Sequence, residues 1–277
     1  MKTVLVTGAN GYIGRHVTCA LKELGASVIA LDRSSCDSSC ADEEIIADIF
    51  APDFDLHRYT DILPDACLHL AWRNGFSHND TSHIEDLPLH FTFLSKLAAS
   101  GVAQIAVMGT MHEVGYWEGA IDANTPCRPQ SLYAISKNAL RESLEVEFSG
   151  KAVLFQWLRG FYIYGDDANS QSIFGKLLRA AADGKKTFPF TSGKNLYDFL
   201  SVDELSEMIG MVVMQDKFSG IIHCCSGEPI SLSKMIEGFI EKNELDIALD
   251  YGAFPDRPYD SPGIWGDANV IHQIMGK

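Results

Sequence analysis

Two side chains able to share a proton stand one helical turn apart in the stretch SLYAISKNALRESLE, residues 131–145. Tyr133 and Lys137 are four residues apart, so on a helix they lie on one face. A free phenol, with a pKa of roughly 10, is a poor base at neutral pH, and a nearby ammonium favours its phenolate. The pair therefore suits proton transfer at a carbinol or carbonyl oxygen. Leu132, Ile135, Ala139 and Leu144 are spaced for burial along one side of the same helix. Taken alone, the pattern also fits a surface helix with a half-buried tyrosine and a solvated lysine.

A second candidate lies at the other end of the chain. In VTGANGYIG, Gly8, Gly11 and Gly14 fall between an apolar β-branched run and a helix-periodic one. There Gly8 permits a tight turn, Gly11 lets the backbone approach a pyrophosphate, and Gly14 allows close helix-to-strand packing. The helix start supplies unpaired N–H groups and partial positive charge for an anion. The expected dinucleotide contacts are Gly8, Asn10, Gly11, Tyr12, Ile13 and Gly14. Asp32 closes the next strand, where a carboxylate accepts from the adenosine ribose hydroxyls and repels a 2′-phosphate. That favours NAD; Arg33, the next residue, could reach a 2′-phosphate and keeps NADP possible. A glycine turn followed by a solvated aspartate is the bland alternative.

The elements that must position these groups alternate through the first half. KTVLVTG, ASVIALD, EIIAD, ACLHLA, QIAVMG and AVLFQWLR read as strands, with helical patterns at 12–25, 84–100 and 132–148. Continuously apolar strands alternating with helices predict an α/β fold, a Rossmann-type doubly wound parallel sheet. Beyond about residue 160 the chain turns rich in Gly, Pro, Asp, Ser and aromatics, between helical stretches near 172–183, 202–215 and 231–243. A smaller C-terminal substrate-binding lobe is expected there, over the carboxyl ends of the strands. The division is residues 1–160 for the NAD(P)-binding domain, with a segment at about 196–222 returning to it, and 161–195 with 223–277 for the lobe.

The chain has 277 residues, of which 46% are hydrophobic and 21% charged, enough for a substantial core. A net charge of −15 argues against a nucleic acid or an acidic membrane surface as partner. No apolar run is long enough to span a bilayer, and no export signal opens the sequence, so a cytoplasmic setting is expected. Seven cysteines at irregular spacing then predict reduced thiols rather than a disulfide framework. Neither Cys36 with Cys40 nor Cys224 with Cys225 has a second pair at zinc-site spacing, and no metal is expected.

With these motifs in order, the sequence resembles the extended short-chain dehydrogenase/reductase family, whose NAD-dependent epimerases, dehydratases and reductases act on nucleotide sugars. The resemblance runs over nearly the whole length. It implies that Asp48 in IIADIF, with Ile49 beside it, contacts adenine, and that Leu70, Ala71 and Trp72 of HLAW line the cofactor's ribose and pyrophosphate. It implies a catalytic triad of Thr110, Tyr133 and Lys137: the threonine holds the substrate oxygen, the tyrosine moves its proton, and the lysine supports the phenolate and bonds the nicotinamide ribose. Relatives often dimerise through the helix that carries the tyrosine, so a homodimer is expected.

The second half resembles the family's sugar-nucleotide site. RPYDSPGIWGD, residues 257–267, is similar to a family stretch whose arginine grips the substrate diphosphate; here that is Arg257, with Asp260, Pro262, Trp265 and Asp267 also matching. A proline-rich turn with a buried tryptophan is the alternative. Two positions depart from the family: Tyr162 replaces an asparagine, and Tyr197 replaces a second phosphate-binding arginine. The diphosphate could then be held with Lys194, Asn195 and Tyr197.

Family dehydratases carry an Asp-Glu acid and base after the threonine. This chain has Met111 and His112, with Glu113 one place further and pointing away if the segment stays extended. Dehydration is therefore disfavoured. HLAWRNG and GTMHEVGYWEG are similar to reductases that make 6-deoxyhexoses for surface polysaccharides, such as the dTDP-4-keto-6-deoxyglucose reductases. The expected function is thus NAD(P)-dependent reduction of the 4-keto group of a 4-keto-6-deoxyhexose on a nucleoside diphosphate. The alternative is a nucleotide-sugar 4-epimerase, and behind it a non-catalytic NAD(P)H sensor. His112 and Trp117 could line the sugar pocket or simply pack.

Overall fold

The computed structural model of the chain describes residues 1–35, 40–165, 171–256 and 260–277. The six runs read as strands form, and a seventh not read from the sequence joins them: β1 (Thr3–Thr7), β2 (Ser27–Asp32), β3 (Glu43–Ile46), β4 (Ala66–His69), β5 (Gln104–Thr110), β6 (Leu154–Gly160) and, unexpected, β7 (Gly220–Cys224). They form one sheet in the order β7-β6-β5-β4-β1-β2-β3. Every neighbouring pair is parallel. The chain is therefore a Rossmann-like α/β protein, as its strand–helix alternation predicts.

Alternation along each strand feeds two cores. Val4 and Val6 face one side with Val17, Leu21 and Ile209. Those residues come from α1 (Tyr12–Glu23) and α5 (Val202–Met214), which cover that face. Leu5 faces the other side with Leu94, Leu140 and Leu144, from α2 (Ser82–Ala99) and α3 (Leu132–Phe148). Burial on both faces is why these strands read as unbroken apolar runs.

The buried side of α3 differs from the expected one. Leu144 is buried, but Leu132 and Ala139 are half-buried and Ile135 is 40% exposed. The covered stripe runs instead through Ala134, Lys137, Leu140, Arg141, Leu144 and Phe148. The helix is rolled so that two cations with long apolar stems lie inside, which hydrophobic spacing alone does not register.

The rest of the chain adds α4 (Ile173–Ala182), α6 (Leu232–Lys242), α7 (Asn269–Met275) and small sheets. A four-stranded sheet joins Ile230–Ser231, Leu196–Tyr197, Gly263–Gly266 and Gly119–Ile121 in that order. Asp198, fully buried, ties these segments together by accepting from the backbone amides of Ser226, Gly227 and Gly266.

One cysteine expectation fails. Cys19 on α1 and Cys40 form a disulfide, with Cα atoms 4.9 Å apart. The βαβ crossover brings α1 beside the entry to β3, placing residues 21 apart in sequence within bridging distance. Cys67, Cys127, Cys224 and Cys225 are free, and Cys36 lies outside the described residues. Among the described residues no three His, Cys, Asp or Glu side chains are grouped to hold a metal. No described helix is long and apolar enough to cross a membrane.

Candidate active site

Strand order reverses between β1 and β4, and open α/β sheets bind ligands at such a point, outside the strand ends. A cleft of about 850 Å³ lies there. Gly8 follows β1 with φ +69°, a left-handed backbone that favours glycine; a Cβ on it would stand 2.7 Å from the Ala71 amide nitrogen. A Cβ on Gly14 would stand 2.1 Å from the Gly8 carbonyl oxygen. The turn is thus closed to any larger residue. Helix α1 starts after Gly11 with no side-chain cap, so its first N–H groups remain for a ligand beside the cleft that Gly8, Gly11, Tyr12, Ile13 and Gly14 line.

Asp32 stands at the end of β2 with its carboxylate fixed by backbone amides, from Asn10 at 3.1 Å and Arg33 at 2.7 Å. The Asn10 side chain in turn donates to the Ser34 hydroxyl and the Ser35 carbonyl, holding the loop after Asp32 against the glycine turn. This cradle, with an uncapped helix end and a carboxylate at the far side, fits a dinucleotide without a 2′-phosphate. Asp48 accepts from the Phe50 amide at 2.9 Å, and Ile49 borders a separate cavity of about 430 Å³ rather than the main cleft. Leu70 and Trp72 line the cleft, and the Ala71 backbone closes against Gly8.

Thr110, Tyr133 and Lys137 converge on the same cleft from two elements. Thr110 ends β5 and caps a short 3₁₀ turn, Met111–Glu113. Tyr133 and Lys137 come from the first turns of α3, which Ser131 caps by accepting from the Ala134 amide at 3.2 Å. The Tyr133 amide donates to the His78 carbonyl at 2.9 Å, which pins the start of that helix. Lys137 is 3% exposed, and its ammonium donates to the Met108 carbonyl at 2.7 Å.

Burial sets the electrostatics. It pushes the Tyr133 phenol well above its ordinary range, helped by the Glu113 carboxylate and opposed by a hydrogen bond from Thr110. Burial also brings Lys137 down to about 7, against the pull of Glu113. His112 falls to about 4, through burial and then the nearby His78. Burial thus disfavours the charged form of both groups, and of the two only Lys137 is brought near neutrality.

Aromatic rings surround the pair. His78 stacks on Tyr133 with centroids 5.2 Å apart and planes 16° from parallel, and His112 meets His78 edge-on at 4.9 Å. His83 meets Tyr133 at 5.3 Å and accepts from the Trp72 indole N–H at 3.0 Å. The histidines at 78, 83 and 90 are absent from the expected site. His83 and His90 are seven apart, two turns along one face of α2, and that spacing was the available signal.

Of the residues expected on the substrate side, His112, Tyr162, Tyr197 and Asp260 line the cleft, and Tyr162 packs on Tyr197 with centroids 4.4 Å apart. Asn195 is held elsewhere: its amide donates to the Ser261 carbonyl at 2.8 Å, and it does not line the cleft. Lys194 is exposed. Trp117 packs, its indole N–H on the Ala120 carbonyl at 3.1 Å. Arg257 lies outside the described residues. Met111 and His112 line the cleft, whereas Glu113 points into the core. The segment is a 3₁₀ turn and not extended, yet the carboxylate does face away, because Trp157 and Arg159 hold it.

A model of the NAD-dependent epimerase/dehydratase family matches residues 4–223. The chain belongs to that family. The chain is 43% identical to the dTDP-6-deoxy-L-talose 4-dehydrogenase (NAD(+)) of Aggregatibacter actinomycetemcomitans over 270 residues, 95% of this chain and 98% of that one. It is 21% identical to the GDP-6-deoxy-D-talose 4-dehydrogenase of the same organism, over 99% of this chain and 91% of that one. The fold is shared with a UDP-glucose 4-epimerase from Stenotrophomonas maltophila solved with bound NAD and formylated UDP-arabinopyranose. That similarity has TM-score 0.85 at 18% identity, over 100% of this chain and 93% of that one. MoeE5 in complex with UDP-glucuronic acid and NAD superposes with TM-score 0.82 at 23% identity, over 99% and 92% of the two chains. An epimerase/dehydratase of this family uses NAD, and the glycine cradle with Asp32 fits it.

Proposed function

We propose that the chain is an NAD-dependent oxidoreductase of nucleotide sugars that interconverts the 4-hydroxyl and 4-keto forms of a 6-deoxyhexose carried on dTDP. The observation that carries this reading is the convergence of Thr110, Tyr133 and Lys137 on one cleft beside the glycine turn. The 43% identity to a dTDP-6-deoxy-L-talose 4-dehydrogenase supports the sugar and the position. A 4-dehydrogenase and a 4-ketoreductase run one redox couple from opposite sides, so the expected reduction and that relative's oxidation are one chemistry.

NAD, when bound, supplies the hydride acceptor or donor. The residues of the chain do the rest. Gly8, Gly11, Gly14 and the open end of α1 seat the pyrophosphate, and Asp32 takes the adenosine ribose. Thr110 holds the C4 oxygen. Tyr133 takes the proton from that oxygen when the alcohol is oxidised and returns it when the ketone is reduced. Lys137 favours the phenolate form of Tyr133. Dehydration lacks its acid and base, because Met111 is apolar and Glu113 is locked to Arg159. His112, Tyr162 and Tyr197 face the sugar nucleotide. With this reading go a role in making deoxysugars for surface polysaccharides, a cytoplasmic setting, and a homodimer through α2 and α3, whose Ile84, Leu89, Ile135 and Val146 are exposed.

The test is absorbance of the nicotinamide with dTDP-6-deoxy-L-talose and NAD in one direction and the 4-keto sugar with NADH in the other. One nicotinamide should turn over per sugar. Equilibration of UDP-glucose with UDP-galactose without added cofactor would overturn the reading in favour of a 4-epimerase.

A further inference from the structure

Lys137 presents an unusual problem for a buried cation. Among the described residues no carboxylate stands within ion-pair distance of its ammonium. One carbonyl, that of Met108, accepts from it. Burial without a partner normally drives a lysine neutral. The remaining contact is an aromatic face: the Lys137 nitrogen lies 3.8 Å from the Trp72 ring centroid.

That indole is itself held on several sides. Its N–H donates to His83 Nδ1 at 3.0 Å, and His83 is itself held by the Ser77 carbonyl, 3.1 Å from its Nε2, so the indole bonds to a fixed acceptor. His90 stacks on Trp72 with centroids 4.3 Å apart and planes 11° from parallel. His90 Nδ1 pairs with His69 Nε2 at 2.8 Å, and His69 Nδ1 pairs with the Thr7 hydroxyl at 2.8 Å. A buttress of side chains therefore runs from the first strand, through two buried imidazoles, to the indole that meets the lysine.

We infer that Trp72 is the positioning residue of Lys137, its indole face replacing a carboxylate as the partner that keeps the ammonium charged and in place beside Tyr133. The inference rests on the oxidoreductase reading for its catalytic consequence. The physical advantage is specific. A carboxylate beside Lys137 would also repel a Tyr133 phenolate, as Glu113 already does. The quadrupole of an indole attracts a cation at contact, brings no net charge, and adds nothing to the repulsion that Glu113 exerts on the phenolate. The groups that face Lys137 are Glu113 on the 3₁₀ turn, Tyr133 on its own helix, His69 at the end of β4 and His90 on α2. Burial and the lysine itself hold both histidines below their ordinary range, so neither adds a competing positive charge at neutral pH.

The test varies the electrons of the ring and keeps its shape. Tryptophans carrying one, two and three fluorines are placed at position 72 only. The titration of Lys137 is followed by NMR of ¹³C-labelled lysine, assigned by its loss in Lys137→Met, alongside the pH profile of kcat/KM for alcohol oxidation. Each fluorine should lower the Lys137 titration, to a total of about one pH unit, and move the ascending limb of the profile upward as the phenolate loses support. Trp72→Leu should give a larger shift, and Trp72→Tyr should recover part of it. A Lys137 titration unmoved across the fluorinated series overturns the inference even if the sugar is turned over. A titration that moves in a protein with no turnover upholds the inference and fails the functional reading instead.

Discussion

Glu113 and Arg159 form an ion pair 2.9 Å long in which neither side chain has any exposure to solvent. The carboxylate also accepts from the Trp157 indole N–H at 2.9 Å and from the Thr110 amide at 2.7 Å. One buried group thus joins β6 to the end of β5, at the residue that presents the Thr110 hydroxyl. Removing one member of a buried pair leaves an uncompensated charge, at a cost of about 3–5 kcal/mol. Glu113→Ala should therefore lower the urea midpoint by a large margin and also reduce turnover, since Thr110 loses its anchor. A loss below about 1 kcal/mol would show that Arg159 is satisfied in some other way.

Tyr133→Phe should remove nearly all turnover and leave NADH affinity close to that of the parent protein. The phenol moves a proton at the sugar oxygen, and general acid–base catalysis contributes roughly 10²–10⁴ in rate. The ring stays, with its contacts to His78 and His83. Steady-state rates and a fluorescence titration with NADH separate the two effects. A variant that keeps more than half its activity would remove Tyr133 from the chemistry.

What the sequence revealed and what it hid divide along physical lines. Most of the sheet strands were legible because burial on both faces makes most of their residues apolar, whereas Gly220–Cys224 was not read as a strand. The glycine turn was legible because its positions are sterically tight, as at Gly8 against Ala71. The family motifs located Thr110, Tyr133 and Lys137, which the fold then gathers on one cleft. The rolled face of α3 was hidden because Lys137 and Arg141 are buried through their stems, which no hydrophobic pattern counts. The histidines around Trp72 were harder to read: the seven-residue spacing of His83 and His90 marks one face of α2, but their ring contacts to the loop after β4 depend on the tertiary fold. The strands around residues 196, 230 and 263 are two to four residues long, too short for a period to emerge.

Asp32→Ala should weaken NADH binding roughly tenfold or more and narrow the gap to NADPH. Hydrogen bonds to a charged acceptor are worth about 1.5–3 kcal/mol, and the carboxylate also repels a 2′-phosphate. Because Asn10 and Arg33 donate backbone amides to Asp32, Asp32→Asn is the gentler comparison and should keep the loop in place. Dissociation constants for both cofactors report the outcome. A parent protein that prefers NADPH strongly would transfer the role to Arg33.

Histidines held neutral in the fold, His69, His90, His112 and His223 among them, should make the protein sensitive to acid before its carboxylates titrate. Burial, first among the causes in each case, brings His69 to about 3 and His112 and His223 to about 4, from an unfolded value of 6.5. Below pH 6.5 the unfolded chain therefore binds protons that the folded chain refuses. Their contribution to stability is complete above pH 6.5 and is lost as the pH falls towards 4 and then 3. The urea midpoint should accordingly drop with each step down from pH 6.5, with a slope set by the number of histidines held neutral. His112→Asn should flatten that slope between pH 6.5 and 4, because one proton fewer separates the two states. Equal slopes in the parent and variant proteins would mean that His112 takes up its proton without unfolding, and that the cleft is wetter than its burial indicates.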